Sequence, residues 1–160
     1  MKKFLKILVV LILIVIVFYV TNKLLMPKYM DSLVEGSMIS QYYDEEKNHE
    51  VIFIGDCEVY ANFSPMVIYE ETGITSYVRG SSQQLLWQSY YILEETLKYE
   101  KPKVVVFNVN AMRYDKPVSE AYNRLTLSLM KWSQQKYEMI KATMTDEENM
   151  ASYIFPILRY

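Results

Sequence analysis

The chain has very few of the residues that build cross-linked, metal-dependent or nucleotide-binding sites. It contains one cysteine and one histidine, so it forms no internal disulfide and lacks the ligands of a structural zinc site. Its four glycines do not fall into a phosphate-cradling pattern. A formal net charge of -2 provides no basic footprint for nucleic acid. We therefore expect no cofactor and no metal.

Apolar sequence, by contrast, is abundant at the amino terminus. Lysines stand at positions 2, 3 and 6, and Ile7 to Val20 is unbroken apolar sequence. Phe4 to Met26 is long enough to cross a hydrocarbon core of roughly 30 Å. A cleaved signal peptide is the alternative, but the residues after Val20 offer no small-x-small cleavage site. We predict an uncleaved single-pass signal anchor over 1–26, with the remainder on the extracytoplasmic side.

The next segment, 27–50, is predicted to be a juxtamembrane stalk. Within it, 31–43 is predicted to form a short amphipathic helix, followed by a charged connector. His49, the only histidine, lies in that connector and directly precedes the first predicted strand. It is therefore expected at the starting end of the sheet, exposed to solvent and far from chemistry at the opposite end.

The remaining residues, 51–160, read as an α/β domain. Strands are predicted at Val51 to Ile54, Ile74 to Val78 and Lys103 to Phe107, each an apolar run. Two predicted helices alternate with these strands. One is a short helix between Ser64-Pro65 and Gly73, and the other is a long helix from Ser81 or Ser82 to Tyr99. Three more helices are predicted after the last strand: one over 118–129, one over 131–144 and one that begins at Thr145. This order is typical of a three-layer parallel sheet.

Polar sequence follows each predicted strand, and this is where we expect a site. The three strands deliver Gly55-Asp56-Cys57, Gly80-Ser81-Ser82 and Asn108-Val109-Asn110 to one edge. Cys57 is either a nucleophile favoured as a thiolate near a helix start, or one more small buried hydrophobe. The backbone N–H of Gly80 and the amide of Asn110 are candidate oxyanion donors for acyl transfer. Arg79, next to this edge, is expected to be solvated at the surface.

These three blocks resemble the SGNH (GDSL-type) hydrolase superfamily, whose flavodoxin-like sheet carries Gly-Asp-Ser, Gly and Gly-x-Asn-Asp blocks after successive strands. The matched residues are Gly55-Asp56-Cys57, Gly80 and Asn108-Val109-Asn110-Ala111. With an amino-terminal anchor, the layout is similar to DltD-like and alginate-acetylation-type proteins. The resemblance implies an extracytoplasmic protein that transfers or hydrolyses acyl esters on teichoic acid or exopolysaccharide, alongside a membrane-bound O-acyltransferase.

The chain departs from that superfamily in four ways. Cysteine replaces serine at the nucleophile, and the third block lacks its leading glycine and trailing aspartate. No histidine follows Cys57, and only three of about five strands are found. These departures leave two interpretations. The chain is an amino-terminal part of a longer enzyme, so that the sheet is incomplete, or it is a degenerate domain that binds polymer as a non-catalytic scaffold subunit.

Overall fold

The computed structural model describes residues 2–25 and 33–159. These residues group into two compact units, one made of 2–25 with 149–159 and the other of 33–148. In the first unit α1 spans Lys2–Leu25 and α8 spans Met150–Ile154, followed by a 3₁₀ turn at Pro156–Arg159. The chain is thus an α/β protein with one long apolar amino-terminal helix.

The second unit is built around a three-stranded parallel sheet with the order β2-β1-β3. The strands are β1 at Val51–Gly55, β2 at Ser76–Gly80 and β3 at Val104–Phe107. The helices are α2 at Val34–Gln41, α3 at Cys57–Asn62, α4 at Pro65–Thr72, α5 at Leu86–Tyr99, α6 at Glu120–Leu127 and α7 at Gln134–Thr143, with a 3₁₀ turn at Val109–Arg113.

Helix α1 confirms the predicted apolar helix. It has 24 residues with a mean hydropathy of 3.0 over its most apolar stretch, and among the described residues it alone is long and apolar enough to cross a membrane. None of its residues is buried within the protein. That composition fits a membrane span, and a signal sequence has the same character. Residue 26, the last of the predicted anchor, lies outside the described residues.

Strand β1 is the centre of the core because it is covered on both faces. Ile52 and Ile54 are fully buried, while Phe53 points to the opposite face and packs with Val59 of α3 and Val78 of β2. The apolar run without polar alternation therefore predicted this strand correctly. Strand β3 differs, because Val104 is exposed and the other three residues of the strand are only partly buried.

Helix α4 begins and ends as its sequence predicts. The Ser64 hydroxyl accepts a hydrogen bond from the Val67 N–H, and Pro65 occupies the first turn. Gly73 closes the helix in the left-handed conformation with φ of 73°. Local signals were sufficient here because cap and stop involve only neighbouring residues.

Other boundaries were predicted wrongly where distant residues compete for a cap. Helix α5 starts at Leu86 rather than after Ser81 or Ser82, because the hydroxyls of those serines bond to Thr126 and Glu35 instead. Strand β2 runs Ser76–Gly80, two residues later than predicted, since its register pairs Gly80 with Gly55. At Thr145 the predicted bond from its N–H to Glu148 forms at 2.9 Å, yet the helix begins only at Met150, where Asn149 is the cap.

The described part of the segment predicted as a stalk packs into the second unit. Ile39 of α2 and Tyr42 after it are 1% and 0% exposed. The Tyr77 hydroxyl of β2 donates to the Met38 carbonyl at 2.9 Å. Residues 33–50 therefore contribute core side chains beside the sheet edge formed by β2. The predicted helix over 31–43 is observed as α2, and residues 31–32 lie outside the described residues.

Candidate functional site

The parallel sheet brings the three predicted blocks together at one edge. Gly55 pairs with Gly80 across β1 and β2, and Ile54 pairs with Phe107 across β1 and β3. Residues that follow these strands therefore leave the sheet at the same level. The Asn108 N–H continues the ladder by donating to the Ile54 carbonyl at 2.9 Å.

Two glycines allow this edge to be packed closely. A Cβ on Gly55 would lie 2.4 Å from the Asn108 Cβ, and a Cβ on Gly80 would lie 2.6 Å from Val59 Cγ2 and 2.9 Å from the Gly55 carbonyl oxygen. Ordinary side chains cannot be accommodated at such distances. Close packing thus explains why both positions are glycine. For Gly80 this steric role is separate from the predicted role of its N–H as an oxyanion donor.

Asp56 and Asn108 join the ends of β1 and β3 directly. Asp56 is 4% exposed, and its Oδ1 accepts from the Glu58 N–H at 3.1 Å and from Asn108 Nδ2 at 2.7 Å. Asn108 Oδ1 in turn accepts from the Asn110 N–H at 2.7 Å. The buried carboxylate therefore has partners on both sides, which fixes the turn into α3 against the turn that follows β3.

Asn110, the predicted side-chain oxyanion donor, lies beside this link. Its Nδ2 donates to Glu58 Oε1 at 3.0 Å, near the surface of the protein. One of the two N–H groups of this amide is therefore engaged by a carboxylate in this conformation, which leaves the second N–H as the donor for a ligand. The block residue that bonds to the buried carboxylate of Asp56 is Asn108.

Cys57 is the first residue of α3 and is partly exposed, with its thiol free of any disulfide. Tyr60 lies one turn further along the same helix. Burial raises the pKa of Tyr60 to about 12, although the hydrogen bond with Ser82 acts to lower it. The Cys57 thiol thus lies at the sheet edge that carries the three blocks, beside a tyrosine that stays protonated at neutral pH.

A polar cluster that the sequence did not predict surrounds Tyr60. The Ser82 hydroxyl donates to Glu35 Oε1 at 2.6 Å, the Tyr60 hydroxyl donates to the same oxygen at 3.0 Å, and the two hydroxyls are 2.9 Å apart. Burial raises the pKa of Glu35, but hydrogen bonds from Ser82, the backbone and Tyr60 outweigh it, so the net pKa is lowered. The only sequence signal was the serine pair after Gly80, since Glu35 lies in the predicted stalk.

The segment after Gly80 carries a further local anomaly. Gln83 has φ of 55°, a left-handed conformation that is unfavourable for a residue with a Cβ. Its Oε1 and the indole Nε1 of Trp87 are buried and have no hydrogen-bond partner among the described residues. One acceptor and one donor therefore remain unused close in sequence to the second block.

Arg79 corrects an expectation, because it is a core residue and not a solvated surface cation. Its side chain is 1% exposed, and its guanidinium donates to Glu95 Oε2 at 3.0 Å and to Thr96 Oγ1 at 2.8 Å. The Tyr42 ring centroid lies 3.9 Å from Arg79 Cζ. The Arg79 side chain thus joins β2 to α5 through the ion pair and to Tyr42, which follows α2, through a cation–π contact.

His49 lies at the start of β1, at the opposite end from Cys57, as predicted. It is not exposed as expected: its side chain is 10% exposed, with Nδ1 3.0 Å from Glu100 Oε2. Its N–H also donates to that oxygen at 3.0 Å. The histidine therefore ties the connector to the end of α5, and its position across the sheet separates it from the thiol.

Two cavities lie beside the sheet. The larger, about 610 Å³, is a groove along β2 lined by residues that include Met38, Tyr60, Phe63, Tyr69 and Tyr77. The smaller, about 350 Å³, lies between α3 and β3 and is lined by Glu58, Val59, Asn62, Phe63, Val106, Phe107 and Asn108. The groove therefore reaches the Tyr60 cluster, and the smaller cavity reaches the Asp56–Asn108 link.

Within residues 2–25 and 33–159 no group of three or more histidine, cysteine, aspartate or glutamate side chains is placed to hold a metal ion. Comparison of the chain with protein-family models, with curated proteins and with solved structures finds no match. The function must therefore be argued from the geometry of the site.

Proposed function

We propose that the protein is a membrane-anchored, extracytoplasmic SGNH-like protein that acts in acyl (ester) transfer or hydrolysis on a cell-surface polymer such as teichoic acid or exopolysaccharide. The observation that carries the proposal is the 2.7 Å hydrogen bond between Asp56 and Asn108, which joins the ends of β1 and β3 directly beside Cys57. The resemblance has its blocks after successive strands, and the three blocks of this chain lie at one edge of the parallel sheet.

Membrane anchoring is supported by α1. The helix is apolar along nearly all of its 24 residues and begins with lysines at positions 2, 3 and 6. Lysines before a span favour an inside start, which sends the sheet unit to the outer side. A membrane-bound O-acyltransferase and the polymer itself are the partners that the resemblance implies.

In the proposed chemistry Cys57 accepts an acyl group. Its thiolate attacks the carbonyl carbon of an acyl thioester, the new S–C bond forms, and the donor leaves as a thiolate, so charge and atoms balance without a general base. The N–H of Gly80 stabilises the developing oxyanion, joined by the second N–H of the Asn110 amide. Passing the acyl group on to a hydroxyl requires a base, and a membrane-bound partner acyltransferase is the proposed source.

The second candidate is a non-catalytic scaffold that presents polymer to the acyltransferase. Two observations favour it: the Asn110 amide is engaged by Glu58, and His49 is bound to Glu100 at the opposite end of the sheet. In this candidate the groove of about 610 Å³ along β2, with its tyrosines, holds the polymer.

Intact-mass measurement of the protein with an alkanoyl thioester distinguishes the two candidates. Cys57 is the only cysteine, so one added acyl group identifies the site, and Cys57→Ala is the matched control. Acyl transfer predicts faster modification of the native protein than of the urea-unfolded chain, which has the same thiol without its surroundings. Equal rates, together with unchanged polymer acylation in cells that carry Cys57→Ala, would rule out the catalytic role.

A further inference from the structure

The unit formed by 2–25 and 149–159 contains a specific contact between α1 and the segment Met150–Arg159. The rings of Phe18 and Phe155 lie 5.4 Å apart at 59°. The Ile157 N–H donates to Asn22 Oδ1 at 3.2 Å. The segment is thus held at the carboxyl-terminal part of the apolar helix by one aromatic contact and one hydrogen bond.

Asn22 is the residue that makes this contact more than apolar packing. Its Nδ2 donates to the Phe18 carbonyl at 3.0 Å, so both ends of the amide have partners. A polar side chain within an apolar span is costly unless its hydrogen bonds are made inside the protein. Among residues 2–25 and 33–159, the acceptor of the Asn22 amide is bonded by the Ile157 N–H alone. The interruption of the apolar run at Asn22 therefore has a structural purpose.

The segment exposes three large apolar side chains next to this contact. Ile154, Phe155 and Leu158 are 47%, 38% and 52% exposed. A helix rises about 1.5 Å per residue, so a span of about 30 Å that starts at Phe4 ends near Leu24. Phe18 then lies about 9 Å and Asn22 about 3 Å inside that end. Segments that bind the membrane interface bury their apolar face to this depth, about 5–10 Å.

We propose that the segment Met150–Arg159 is a second membrane contact, which inserts Ile154, Phe155 and Leu158 into the acyl–headgroup boundary of the outer leaflet. The occupant of this surface is lipid, because the surface continues that of α1 at the depth where the span ends. The inference rests on the proposed membrane anchoring and adds to it that α1 is retained, since the partners of Phe155 and Ile157 lie on α1.

The depth of single nitroxide labels in vesicles of phosphatidylethanolamine and phosphatidylglycerol tests the proposal. Labels are placed by Ile14→Cys, Leu158→Cys and Glu71→Cys in a Cys57→Ser background, and their collision rates with oxygen and with a water-soluble nickel complex are compared. Ile14 reports the span, and Glu71, an exposed acidic residue of α4, reports water. We expect the oxygen-to-nickel ratio at 158 to lie well above that at 71 and towards that at 14.

The outcomes separate the two claims. A label at 158 that matches 71 while 14 lies in lipid overturns the second contact and leaves anchoring intact. An aqueous label at 14 overturns anchoring and the second contact with it. Asn22→Leu should shift the 158 label towards water by removing the acceptor of Ile157. Thr21→Val should not, because the Thr21 hydroxyl donates to the Val17 carbonyl within α1. Equal ratios in the two variants would overturn the role of Asn22.

Discussion

The hydrogen bond between Asp56 and Asn108 should contribute measurably to stability, and a double-mutant cycle isolates its strength. The variants are Asp56→Ala, Asn108→Ala and the pair together. Alanine at 108 keeps the Cβ that lies above Gly55, so the packing of the strand ends is retained while the amide is removed. Asn110→Ala is the matched control, because its bond to Glu58 lies near the surface.

The expected magnitude follows from the partners that each variant loses. Asp56→Ala removes the cap of α3, worth about 1 kcal/mol, and leaves the Asn108 amide without its charged acceptor, worth about 1.5–3 kcal/mol. Asn108→Ala removes that same charge-assisted bond and the acceptor of the Asn110 N–H. We therefore expect each single variant to lose about 3 kcal/mol, with a coupling free energy of about 2 kcal/mol, and Asn110→Ala to lose under about 0.5 kcal/mol.

Urea unfolding of the full chain in mild detergent gives these free energies. Trp87 and Trp132 both lie in the sheet unit, so their fluorescence follows that unit alone. Midpoints shift in proportion to stability provided the slope of free energy against urea is unchanged. A coupling free energy below about 0.5 kcal/mol would show that the two block residues do not act together, and it would remove the main support for the site.

Three further predictions concern the surroundings of the site. Gly80→Ala should lower the free energy of unfolding by about 1–3 kcal/mol, because the added Cβ would lie 2.6 Å from Val59 Cγ2. In a double-mutant cycle followed by thermal unfolding, Val59→Ala should reduce that loss. Strictly additive losses would contradict the close approach. Arg79→Met should lower the free energy of unfolding in urea by about 3–5 kcal/mol, because it takes the ion-pair partner away from the buried Glu95 carboxylate. Lys103→Met, which breaks an exposed pair, should change nothing measurable. Burial lowers the pKa of Lys136 to about 8, so the folded state binds fewer protons than the unfolded state and stability should rise by about 2 kcal/mol from pH 7.5 to pH 9.5. In Lys136→Met that rise should vanish, and a rise of the same size in both proteins would refute the assignment.

Much of the fold could be predicted from local signals. The apolar runs of β1 and β3, the caps of α4 and the apolar helix α1 each depend on neighbouring residues, and all were found close to their predicted positions. The predicted start of α5 was wrong because the serine side chains expected to cap it bond to distant residues instead, Ser82 to Glu35 and Ser81 to Thr126. Such bonds join residues 45 or more positions apart, and no sequence pattern reports them.

The candidate site divides in the same way. The sequence by itself determined that Cys57, Gly80 and Asn110 follow parallel strands and so reach one edge, because strand direction and sheet edge follow from the order of elements. Only the tertiary structure decided that Asn108, not Asn110, bonds to Asp56, that Asn110 is held by Glu58, and that Glu35 joins Tyr60. The sequence could not report these choices, because each contact joins residues 25 or more positions apart that only the tertiary fold brings together.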